Sequence, residues 1–181
     1  MRAIWRRLRR DRRGSLAVEF AFVGPPFLLL LLAIIELGLT LLTQTVLDGA
    51  TRDAARLIRT GQVQTGTTTA AQLGTFQTLL CSDMSMLLSN ATCTGSVMIE
   101  ANVFASFNTI SFGTCAYNAN TTGTGTQCPF VPGTAKQIVA VQVSYARPSL
   151  IGWVAQYLTP GGSGFTTLVS TVVFENEPGS S

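Results

Sequence analysis

The 181-residue chain contains no histidine at all. That removes Ser-His and Cys-His nucleophile pairs and the usual zinc sites, all of which rely on imidazole as base or ligand. Carboxylates are sparse as well. Past Thr60 only Asp83, Glu100, Glu175 and Glu177 remain, and the last two fall in a polar C-terminal tail, so no buried acid–base pair is expected. No two cysteines form a C-x-x-C pair: 11, 21 and 12 residues separate Cys81, Cys93, Cys115 and Cys128. Gly161-Gly162-Ser163-Gly164 lacks the lysine of a phosphate-binding loop and reads as a turn. The chain is expected not to be an enzyme, and to need no cofactor, metal or small-molecule substrate.

What the sequence does have is an abrupt change of character near its start. The first 14 residues carry seven arginines against Asp11, a net of +6. The whole chain is +3, so everything after Gly14 sums to −3. A basic run followed at once by apolar residues reads as the cytoplasmic flank of a membrane segment rather than as a nucleic-acid arm. Phe20 to Leu42 is 23 residues with one charge, Glu36. As a helix it spans about 34 Å, enough to cross a hydrocarbon core of about 30 Å. The expected topology is single-pass in the inner membrane, with the N-terminus cytoplasmic and the C-terminal part periplasmic. All four cysteines then lie where disulfides are permitted.

Three regions follow: a basic leader (1–14), a long helix (15–60, membrane part about 20–42) and a periplasmic α+β domain (61–181). Gly24-Pro25-Pro26 predicts a kink or local unwinding early in the helix, because proline removes a hydrogen bond and crowds the preceding turn. Beyond the bilayer, Leu39, Leu42, Val46, Ala50, Ala54 and Leu57 recur every three or four residues and predict a face laid on the domain. Arg56 and Arg59 suit the helix C-terminus, and Thr60-Gly61 ends it. Residues 70–88 read as one or two short helices with Leu73, Phe76, Leu79 and Leu80 on one side. Strands are expected at Val97–Val103, Ile138–Tyr145 and Phe165–Phe174, forming an antiparallel sheet of three or more strands. Leu150–Leu158 reads as a short helix carrying Trp153.

A Gly/Thr/Asn-rich loop, about 113–133, is long enough to need restraint or a function. Four cysteines allow three pairings, which sequence cannot decide. Loop-closure entropy favours nearest neighbours, Cys81–Cys93 and Cys115–Cys128. The second of these would staple the loop.

Two carboxylates lie in the apolar stretch. Glu19 sits where the hydrophobic helix begins, and a lone Glu there is costly without a partner. Glu36, about 24 Å beyond Phe20 along a helix, either reaches the outer interface or meets a polar group on another helix. The run Arg13-Gly14-Ser15-Leu16-Ala17-Val18-Glu19-Phe20 resembles the class III signal of type IV prepilins and pseudopilins. Ala17-Val18-Glu19-Phe20-Ala21, the proline-interrupted Leu run, Ile34-Ile35-Glu36-Leu37-Gly38, Ala54-Ala55-Arg56, Arg59-Thr60-Gly61 and the closing Val172 to Pro178 are similar to the TadE-like minor pseudopilins of tight-adherence (Flp) pili. The resemblance is dense over about 13–61 and absent in the loops. It implies cleavage between Gly14 and Ser15 by a prepilin peptidase and insertion in the inner membrane. It also implies a part in pilus assembly beside other pilins and the assembly platform. Glu19 would meet the new Ser15 amine of a neighbouring subunit, with Phe20 and Glu36 in the same packing segment.

Three other readings stay open: a type II secretion minor pseudopilin, an uncleaved signal-anchored periplasmic binding domain, and a secreted protein released by signal peptidase. Intact mass and N-terminal sequencing of the protein from its native membrane separate processing modes. A start at Ser15 is the expected outcome. A start at Met1 would indicate a plain anchor, and one beyond about Thr43 a secreted protein.

Overall fold

In a computed structural model, residues 13–112, 128–150, 152 and 165–178 are described. The leader up to Arg12, Cys115, residues 113–127 of the Gly/Thr loop, Trp153 with the short helix expected around it, and the Gly161–Gly164 turn lie outside them. The elements run α1 (Arg13–Arg59), α2 (Thr69–Asp83), α3 (Asn90–Ser96), β1 (Val97–Phe104), a 3-10 turn (Phe107–Thr109), β2 (Ile138–Pro148) and β3 (Phe165–Glu175). The chain divides into two units, Met1–Leu39 and Thr40–Ser181. The class is α+β: one long apolar helix, short helices, and a three-stranded antiparallel sheet in the order β1-β2-β3.

The helical backbone of α1 continues through Pro25 and Pro26 without the unwinding that the sequence predicts. Proline fixes φ near a helical value. What the pair removes is two N–H donors, those that would reach the carbonyls of Ala21 and Phe22. At its other end α1 stops in a Schellman arrangement. Gly61 takes a left-handed φ of 80°, the Gly61 N–H donates to Ile58 O (3.0 Å), and the Gln62 N–H donates to Leu57 O (2.9 Å). Only glycine enters that conformation without a Cβ penalty.

The buried face of α1 differs in phase from the expected stripe. Its deepest positions are Thr43, Leu47, Ala50, Thr51, Ala54, Ala55 and Ile58. Ala50 and Ala54 were expected there, but Leu42 is exposed and Leu39, Val46 and Leu57 sit at the half-buried margin. Apolar neighbours at 46–47 and 57–58 fit either phase, so contact with the sheet decides it. The buried Thr51 hydroxyl is satisfied within the helix, donating to Leu47 O at 2.7 Å.

The face of the sheet turned to this seam carries Ile99, Ala101, Val139, Val141, Val143, Tyr145 and Leu168, in register across the three strands. β1 alternates as expected, although Glu100 on its other face is also buried and accepts a hydrogen bond from Asn102 Nδ2 (2.7 Å). Phe76 and Leu80 of α2 close the core, with Phe76 against Phe130 at a ring-centroid distance of 5.8 Å. Phe130 belongs to the last part of the long loop, which is not loose there. Residues 129–131 lie along β1, with the Ala101 N–H donating to Pro129 O and the Val131 N–H to Ala101 O.

α2 starts at a Thr68 cap whose hydroxyl accepts from the Ala71 N–H. α3 was not expected from the sequence. Its seven residues have no apolar periodicity, and it is held by the Ser89 cap and by the Cys81–Cys93 disulfide to α2. Cys128 is disulfide-bonded too.

The stretch expected to be a polar tail is also different. Asn176 is 2% exposed. Its Nδ2 donates to Pro132 O (3.0 Å) and Thr134 O (3.1 Å), while its backbone pairs with Lys136 and Gln137. Replacing Asn176 with Ala is expected to destabilise the C-terminal unit by about 1–3 kcal/mol, because buried carbonyls lose their donor. A lowered unfolding midpoint of the full chain in detergent checks this.

Burial pushes the Tyr145 phenol above its ordinary value near 10, with the Arg147 charge opposing part of the shift. The unfolded chain then releases this proton first. The Tyr145 contribution to stability is fully present below about pH 10 and falls as pH rises through the higher folded value. Denaturation midpoints from pH 8 to 11 should show a decline that Tyr145→Phe reduces.

Candidate assembly interface

The N-terminal half of α1 exposes apolar side chains all round. Phe20 and Phe22 are 76% and 78% exposed, and Val18, Val23, Phe27 to Leu32, Ile34, Ile35, Leu37, Leu41 and Leu42 are exposed too. Leaving that surface in water forgoes on the order of tens of kcal/mol at about 25 cal/mol per Å². The helix is long and apolar enough to cross a membrane, and lipid or other apolar helices are the environment such a surface demands.

Gly14 and Ser15 lie in the first turn of α1, where backbone N–H groups have no intrahelical acceptor. Ser15 and Glu19 are one turn apart, at i and i+4, on the same side of the helix. Glu19 is exposed and makes no hydrogen bond or ion pair with any described residue. Beside it, the Phe20 ring folds over Gly24. A Cβ built on Gly24 would touch that ring at 3.4 Å, in ordinary van der Waals range. The ring therefore lies along the helix beside Gly24, one residue before Pro25. In hydrocarbon, a charged Glu19 is costly without a polar partner.

Glu36 behaves differently. It is half-buried, and an interaction within the chain already involves it, so a partner on another helix is not required to explain it. The structure thus does not bring Glu19 and Glu36 together as a pair. They lie on one helix, 17 residues apart in sequence.

Two polar anchors escaped the sequence reading. Arg147, expected only to end a strand, is 7% exposed and donates through Nη2 to Thr40 Oγ1 (3.0 Å). Gln44 Nε2 donates to Val169 O (3.1 Å) on β3 and to Asp48 Oδ1 (3.2 Å). An arginine in an otherwise apolar strand was the one available signal for the first; the second depends on tertiary contact alone. Among the described residues no three His, Cys, Asp or Glu side chains gather as a metal site. The first unit thus offers an exposed apolar helix with Glu19, which has no hydrogen bond or ion pair among the described residues.

Residues 14–56 match the family described as TadE-like protein. The match begins at Gly14 and takes in Glu19, Phe20 and Glu36, and it is consistent with a TadE-like protein of the Tad pilus system. No curated protein and no solved structure matches the chain.

Proposed function

We propose that the chain is a minor pseudopilin of a tight-adherence pilus, cut after Gly14 by the system's prepilin peptidase and taking part in assembly or initiation of the filament. The observation that carries the reading is the exposed Glu19, without a hydrogen bond or ion pair among the described residues, near the start of an apolar helix and inside the stretch that matches the TadE-like family. In this reading the chain sits in the inner membrane with its C-terminal unit in the periplasm, and its role is structural, not enzymatic.

The physical logic is short. Cleavage leaves a positive amine on Ser15 at the positive end of the helix macrodipole, where a cation is unfavourable. Inside the bilayer the amine and the Glu19 carboxylate each carry a large desolvation penalty alone. Bringing the amine of one subunit to the carboxylate of the next offsets both penalties in part and fixes the axial offset between helices. The apolar surface supplies most of the packing, and the ion pair supplies register.

Two substitutions test this in cells that assemble the pilus. Gly14→Leu should leave an uncut precursor, heavier by the 14-residue leader and seen as a shift in intact mass. Glu19→Ala should be cleaved normally yet incorporate at least about tenfold less into the assembly, since one buried charge then lacks its partner. Full incorporation of the Glu19→Ala chain would remove the proposed pairing.

A further inference from the structure

We draw no further inference here: the strongest candidate, the groove lined by Val103, Phe104, Lys136 and Ile138 between the end of β1 and the start of β2, carries nothing because nothing in the structure shows what covers it.

Discussion

The seam between the second half of α1 and the inner face of the sheet is what the C-terminal unit is built on. Leu47 and Ile58 are fully buried in it, and Ala50 and Ala54 belong to the same core cluster as Ala101, Val141 and Val143. Both sides are close-packed, so a change of one methylene in either is felt by the other. The seam also ties a helix that is apolar on all sides in its first half to one that is amphipathic in its second. No break in the helix is needed, because the change occurs only in which side chains the backbone presents.

Polar contacts hold the seam at both ends. Near Thr40 the buried Arg147 guanidinium fastens the end of β2 to α1. Near Gly61 the Schellman turn is followed by contacts that return the end of the chain to the helix. The Glu177 N–H reaches Arg59 O at 3.0 Å, and Asn176 locks the segment around Pro132 and Thr134. The Arg59–Glu177 ion pair at 3.3 Å is about half exposed on both partners and contributes little by comparison. The weight at this end rests on Asn176, whose amide would lose both acceptors if the residues after β3 frayed.

What the sequence makes legible follows from which physics is local. The 23 apolar residues, alternating Val and Ile in β1 and a Gly two residues after Arg59 are local signals, and the long helix, the strand and the helix end they indicate are present; the basic run to Arg12 lies outside the described residues. The helix phase was ambiguous because Val46-Leu47 and Leu57-Ile58 are apolar pairs, and only the sheet chooses between members. α3 was invisible because Asn90 to Ser96 has no periodicity, and a cap and a disulfide do the holding. Asn176 was misread because an asparagine between two glutamates looks solvated until the 132–134 carbonyls arrive from 42 and 44 residues away.

The two carboxylates of the apolar half also end in different states, and this narrows what an assembly can use. A charge in hydrocarbon needs a partner, and the partner can come from the same chain or from another. Glu36 is half-buried and already takes part in an interaction within the chain. Glu19 has no hydrogen bond or ion pair among the described residues, and the proposed assembly would supply its partner from a neighbouring subunit. An interaction already made in the monomer adds little to the free energy of association, whereas one left open contributes the surplus that remains after desolvation of both groups is offset. In the proposed filament, polar specificity in the membrane therefore concentrates at Glu19, while specificity outside it falls to the C-terminal unit.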